Sequence, residues 1–315
     1  MIGQQYAERF PHRVRAMTLD SNMDHRLGIR RFLATQTDGA QGSFDEFVAW
    51  CDRDSSCPLH GDDLRGVWHD LLARADRGEL LVEPGPVAVT AFELINAVFS
   101  GLYGPHWHQL AELLVTLDQP APAPTKAVAG HQLATGLAAE ADVSAAPFQA
   151  IFCQDWDLPV PDHREFARQL RQLDRIAPDM RCSPLAVYAT VACLGWPSEV
   201  TNPQQPLRVP VGPQLLLTSA VHDPSTPYAW TLGALSQLRR HASLLTYEGW
   251  GHGVYGRSDC TTGTIDTFLV SLHRPAQGAS CPGVEPAPAA TPHRVPTPDA
   301  VTVPPPEQPR WWHRD

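Results

Sequence analysis

Over the first ten residues the apolar side chains Ile2, Tyr6 and Phe10 recur every four positions, the spacing of one helix face. Pro11 and His12 break that pattern, and VRAMTLD follows as a short buried strand over 14–20. A helix that feeds a strand is ordinarily the middle of an α/β unit. From about 27 to 205 the pattern reads as helical throughout. LRGVWHDLLARAD, HWHQLAELLVTL and REFARQLRQLDRI all carry apolar residues at helical spacing. SFDE at Ser43–Glu46 and TAFE at Thr90–Glu93 have the form of capping boxes, which predicts that each opens a helix. The Pro/Ala-rich DQPAPAPTKAVAG, 118–130, reads as a connector inside this block.

From about 206 the pattern changes. LRVPVGPQLLLTSAV ends in a continuous apolar run, and ASLLTYEG is a second; both predict strands buried on two faces, at 214–220 and 243–248. PYAWTLGALSQLRRH, with Pro227 in its first turn, and TTGTIDTFLVSL read as the intervening and closing helices. The expected fold class is therefore α/β, with about three parallel strands and a large helical insertion. Four segments follow: a core piece at 1–26, a helical cap at 27–205, a second core piece at 206–281, and a proline-rich, disordered tail at 282–315. Three strands leave one lateral edge of the sheet open.

The net charge of −10 argues against nucleic-acid binding, and no run of eighteen apolar residues is present to span a bilayer. The first helix carries Glu8, Arg9 and Arg13 and has no apolar signal-peptide core. Seven cysteines lack CxxC or zinc-finger spacing. Cys51 with Cys57 and Cys260 with Cys281 are spaced as loop-closing disulfides. Pairing Cys153 with Cys193 leaves Cys182 free. The competing reading is buried free thiols throughout; disulfides would place the protein in a secreted or cell-envelope setting.

Two loops carry the chemical signal. SAVHDPSTPY puts Asp223 at the carboxyl end of one parallel strand, and EGWGHGVYG puts His252 between two glycines at the end of the next. An acid and then a histidine, in that order, form the tail of the Ser…Asp…His sequence of α/β-hydrolases. The carboxylate would accept from Nδ1 and leave Nε2 facing a nucleophile. An Asp before Pro is also an ordinary turn former, and His222 is a competing imidazole. Asp20 and Asp24, after the first strand, are alternative acids. HWH at 106–108 is not a metal pair, because alternate residues on a helix point apart; no metal or cofactor is expected.

The run from HDPSTPYAW through GWGHGVYGRSDC resembles the C-terminal region of secreted actinobacterial α/β-hydrolases, the tripeptidyl aminopeptidase-like serine peptidases. IGQQYAERFPHRVRAMTLDSNMDH is similar to the segment that follows their nucleophile, and CQDW (153–156) and CLGWP (193–197) to their lid region. The resemblance implies an α/β-hydrolase core with an inserted helical cap, hydrolysis near peptide amino termini, Asp223 as acid, His252 as base, and a disulfide matching Cys260 and Cys281. The family's nucleophile lies in G-x-S-Y-G-T, and MIGQQY matches the continuation of that motif, so the serine is expected four residues before Met1.

No other G-x-S-x-G is present. GASCP at 278–282 fails at its last position, and Ser21, Ser219 and Ser225 lack the elbow glycines. The chain is therefore expected to be inactive by itself. Asp155 and Asp157 are candidates to pair a substrate ammonium, since a buried unpaired charge is costly. Trp156, Trp196 and Trp250 are candidates to line an apolar pocket. A peptide or small ester is the expected substrate; a carboxylesterase and a non-catalytic peptide-binding remnant are the alternatives. The sequence leaves the oligomeric state open.

Overall fold

A computed structural model describes residues 1–82, 87–119, 145–209 and 212–287. Helix α1 (Ile2–Arg9) leads into strand β1 (Ala16–Asp20). The helical block contains α2 (Ile29–Arg53), α3 (Leu64–Asp76), α4 (Ala91–Tyr103), α5 (Trp107–Asp118), α6 (Ala145–Asp155), α7 (His163–Ile176) and α8 (Pro184–Ala192). Then come β4 (Gln214–His222), α9 (Tyr228–Leu238), β5 (Ala242–Trp250), α10 (Asp259–Ser271) and β6 (Ser280–Pro282). The block is not helical throughout: β2 (Leu81–Val82) and β3 (Val87–Ala88) pair antiparallel within it.

The main sheet has the order β1-β4-β5-β6, with every pairing parallel. The fourth strand, β6, did not stand out in the sequence because it is three residues long and has no apolar run. The side-chain period of two sorts β4 and β5 between two layers. Leu215, Leu217 and Leu244 face α1 and α9, packing with Ala7, Ala234 and Leu238. Leu216, Ala220, Leu245 and Tyr247 face α10, packing with Ile265 and Phe268. This three-layer arrangement with a helical insertion is a partial α/β-hydrolase fold.

TAFE is a capping box as expected: Thr90 accepts from Glu93 N–H, and the Glu93 carboxylate accepts from Thr90 N–H. SFDE is not. Ser43 lies in the middle of α2, a 25-residue helix that begins at Ile29. Phe32, Leu33, Phe44, Phe47 and Trp50 are all buried along it, and their burial outweighs the local preference of Ser and of Gly39 and Gly42 for an interruption. In the helical block Phe44, Phe47, Trp50, Trp68 and Trp107 form the aromatic centre of one core. A second core joins block to sheet, with Phe32 of α2 against Trp230 of α9 (5.4 Å between ring centres) and Trp156 (5.2 Å).

Three disulfides form: Cys51–Cys57, Cys153–Cys193 and Cys260–Cys281. Cys182 is the free, buried thiol. Burial pushes its pKa up to about 12, so it stays protonated and unreactive at physiological pH. The expected connector at 118–130 lies, but for its first two residues, outside the described residues, as does the tail beyond 287. The described start of that tail is ordered against the rest: Glu285 accepts from Arg53, and Val284 N–H donates to the Tyr247 hydroxyl at 2.9 Å. Among the described residues no helix is long and apolar enough to cross a membrane.

Candidate active site

The carboxyl ends of β4 and β5 carry the two residues singled out by the sequence, and the strand register breaks between Ala220 and His222. Such a break splays neighbouring strand ends and re-aims the side chains that follow. Asp223 is 1% exposed. Its Oδ1 accepts from the backbone N–H groups of Ser225 and Thr226, both at 2.8 Å, and its Oδ2 accepts from Thr226 Oγ1 at 2.9 Å. His252 Nδ1 lies 3.0 Å from Oδ2. Asp223 thus closes the turn and faces the imidazole at once: Oδ1 holds the turn amides, and Oδ2 is the nearer oxygen to Nδ1, with Oδ1 at 3.2 Å. With Nδ1 donating to the carboxylate, Nε2 carries the lone pair. Among the described residues it has no hydrogen-bond partner.

The loop around His252 needs its glycines. Gly251 and Gly253 have φ of +89° and +82°, the left-handed region that side chains resist. At Gly251 a Cβ would also lie 2.5 Å from Pro105 Cδ. That closeness reflects a contact invisible in the sequence. The C-terminal end of α4 sits on the loop, with the Tyr103 ring 4.7 Å from the His252 ring and the Tyr103 carbonyl accepting from His252 N–H at 2.9 Å. Arg257 gathers the other side, donating to the His252 and Gly253 carbonyls at 2.9 Å each.

Helix α2 walls the acid. Gly39 lets it close on the 223–227 loop, where a Cβ would meet Pro227 Cγ at 2.7 Å. One turn to either side, Gln36 donates to the Ser225 carbonyl and Ser43 to the His222 carbonyl. The spacing 36, 39, 43 is one helix face, so a stretch that reads as a helix break is a surface fitted to the acid's loop.

The alternatives are placed elsewhere. Asp24 holds Arg26 at 2.8 Å and Gln237 at 3.1 Å. Asp20 is bonded to Thr218 and to backbone N–H groups beyond His252. His222 faces Glu46 at 3.8 Å; burial lowers its pKa, against the opposing pull of Glu46 and Glu248. Ser219 is buried and donates to the Ala220 carbonyl, Ser225 lies in the Asp223 turn, and Ser21 accepts from Gly253 N–H. None of the three serines is bonded to His252.

Asp155 and Trp156 meet at a second place, an apolar cleft of about 440 Å³ that also takes in Met23, Ile151 and Phe152. Asp155 Oδ1 accepts from Asn202 Nδ2 at 2.7 Å, and the Asp155 carbonyl meets His25 Nε2 at 2.6 Å. Trp250 does not line this cleft. It packs beside Trp107 and donates from Nε1 to Glu46 at 2.9 Å. Asp157 also stays outside the cleft, its backbone tied to Gln204. Trp196 is at neither place, and its Nε1 lies 3.1 Å from the side-chain amide of Gln154.

Comparisons with known proteins agree with this geometry. Residues 180–281, which hold both Asp223 and His252, match the family described as TAP-like protein. The chain is similar to the serine protease Hip1 of Mycobacterium tuberculosis, 29% identical over 297 residues, covering 89% of this chain and 55% of the relative. It is also similar to carboxylesterase B of the same organism, 25% identical over 285 residues, covering 87% and 53%. A putative hydrolase of Escherichia coli, YuaR, is 26% identical over 260 residues, covering 80% and 50%. The chain spans about half the length of the curated relatives it matches. These matches support the resemblance to TAP-like α/β-hydrolases first drawn from the catalytic loops.

Proposed function

We propose that this chain carries the acid and the base of a serine hydrolase: Asp223 orients and charges-compensates His252, and His252 Nε2 takes the proton of a serine hydroxyl. The observation behind this reading is the hydrogen bond from His252 Nδ1 to a fully buried carboxylate, with Nε2 unbonded among the described residues. The serine protease and carboxylesterase names of the relatives fit the same machinery. A nucleophile would lose its proton to Nε2 as it attacks a carbonyl carbon, and the imidazolium would return that proton to the leaving group.

The substrate reading is a peptide engaged near its amino terminus. Asp155 is an acid in an otherwise apolar cleft, suited to an α-ammonium beside an apolar side chain. Trp156 forms part of that wall; Trp250, packed in the helical core, serves the fold. The relative named carboxylesterase B favours an ester as the second reading. We further propose that the 315 residues alone do not turn over substrate, since Ser21, Ser219 and Ser225 make no hydrogen bond to His252, and that the protein works outside the cytoplasm, where its disulfides persist.

The test has two arms. The purified chain is treated with a fluorophosphonate; labelling of it would overturn the proposed inactivity. The chain is then joined to a preceding segment bearing G-x-S-Y-G-T and assayed on an aminoacyl-nitroanilide and a p-nitrophenyl ester. Turnover that survives both His252→Ala and Asp223→Ala would overturn the assignment of base and acid, and the preferred substrate separates peptidase from esterase.

A further inference from the structure

We infer that Asp20, with Ser21 beside it, is the positioning residue of the proposed catalytic base, a role that rests on the reading of His252 given above. The loop that carries His252 lies in neither helix nor strand, and its two glycines supply no rigidity. Something outside the loop must fix it. Of its amides, Gly251 N–H donates to the His222 carbonyl and His252 N–H to Tyr103. The next three all go to the end of β1. Gly253 N–H donates to Ser21 Oγ at 2.9 Å, and Val254 and Tyr255 N–H donate to Asp20 Oδ2 at 2.8 and 3.0 Å.

This arrangement is not local. β1 and β5 are not neighbours; β4 lies between them. The Asp20 side chain meets β4 midway along its length, where Thr218 donates its hydroxyl proton to Oδ1 at 2.8 Å. That bond fixes the carboxylate plane and turns Oδ2 toward the loop. Ser21 is in the left-handed region, φ +56°, which costs a non-glycine residue about 1 kcal/mol or more. The strained backbone puts the Ser21 hydroxyl under Gly253 while Ser21 N–H donates to the Thr218 carbonyl at 2.9 Å. Two consecutive side chains at one strand end therefore hold three consecutive amides directly after the imidazole. A carboxylate is the stronger acceptor for such a clamp, because bonds to a charged group exceed neutral ones.

The roles of the two acids are thus divided. Asp223 sets the tautomer and direction of the ring, and Asp20 sets where the backbone holds that ring. Asp20→Asn keeps an oxygen toward the two amides, and its NH₂ meets a Thr218 hydroxyl free to rotate and accept. Asp20→Ala removes both acceptors.

Amide exchange and proton NMR of the whole chain test this. In Asp20→Ala we expect the 253–255 amides to exchange at least about tenfold faster, given the strength of bonds to a charged acceptor. The 215–218 amides should be unchanged, the His252 Nδ1–H resonance should broaden or vanish, and Asp20→Asn should restore most of both signals. Unchanged exchange at 253–255, an equal rise across β4, or an Asp20→Asn as impaired as Asp20→Ala would overturn the proposal. Should Asp20→Ala fail to fold, Ser21→Ala decides: faster exchange at Gly253 with a weakened His252 resonance supports the clamp, and no change overturns it. Absence of the Nδ1–H resonance from the unaltered chain would defeat the reading of His252 as base, while the exchange result would still stand or fall by itself.

Discussion

Asp223→Asn is the sharpest probe of the acid, because the structure dictates how the amide must sit. Oδ1 accepts from two backbone N–H groups at 2.8 Å, and neither donor can reverse its role. The asparagine oxygen is therefore forced to that side. Its NH₂ takes the place of Oδ2, 3.0 Å from His252 Nδ1, where it donates. Oδ1 also lies 3.2 Å from Nδ1 and leaves it one longer acceptor, but the shorter contact now favours an accepting Nδ1, so the ring proton shifts to Nε2 and the base loses its lone pair on the working side. A hydrogen bond to a charged group is worth about 1.5–3 kcal/mol. At about 1.4 kcal/mol per factor of ten, the carboxylate favours the Nδ1–H tautomer by about 10- to 150-fold.

Imidazole nitrogen shifts of the neutral ring, read by ¹⁵N NMR, report the tautomer directly. The unaltered chain should show protonated Nδ1 and Asp223→Asn protonated Nε2, with little loss of stability because both turn amides keep their acceptor. Asp223→Ala leaves those amides and the Thr226 hydroxyl without acceptors in a buried site, at a cost of about 3 kcal/mol or more. If Asp223→Asn retained protonated Nδ1, the assignment of the two oxygens and the argument built on it would be wrong.

Removing the Cys153–Cys193 bridge as the double Ser variant opens a loop spanning a sequence separation of 40. The chain-entropy relation gives a loss of about 4 kcal/mol, to be read as a lower urea midpoint; a change under about 1 kcal/mol would show that the loop is already constrained without the bridge. Burial lowers the pKa of His25, opposed by the Asp155 carbonyl and carboxylate, and burial likewise lowers that of His222. The unfolded chain then binds more protons than the folded one, so stability is full above the ordinary histidine pKa of about 6.5 and is lost as pH falls below it. Thermal unfolding from pH 7.5 to 5 should follow this, and His25→Gln should flatten the slope. Cys182, its thiol raised to about 12 by burial, should resist iodoacetamide at pH 8 in the folded chain and react once urea unfolds it.

Much of the Asp223–His252 pair was legible in the sequence because its signals are local. An apolar strand followed by HDPST, and another followed by a histidine between glycines, state both the side chain and the turn that presents it. The spacings of Cys51 with Cys57 and of Cys260 with Cys281 were legible for the same reason; the expected Cys153–Cys193 pair, 40 positions apart, rested on no local signal, and all three formed. The errors arose where long-range packing overrode a local motif. SFDE reads as a helix start, yet Ser43 sits inside α2 because that helix buries aromatic residues on both sides of it. Trp250 and Trp156 look alike in sequence, and only their neighbours separate a core tryptophan from one at the cleft.

By itself the sequence determined the longer strands β4 and β5, the proposed acid and base that follow them, and the glycines that flank His252, since each depends on a few adjacent residues. Only the tertiary structure decided what holds the base in place. Tyr103 lies about 150 positions before His252 in the chain, and Asp20 more than 230 before it. Neither carries a mark of its task, because the task exists only where the end of β1, the middle of β4 and the loop after β5 converge. A hydrogen bond acts over about 3 Å, and folding alone brings such distant residues within that range.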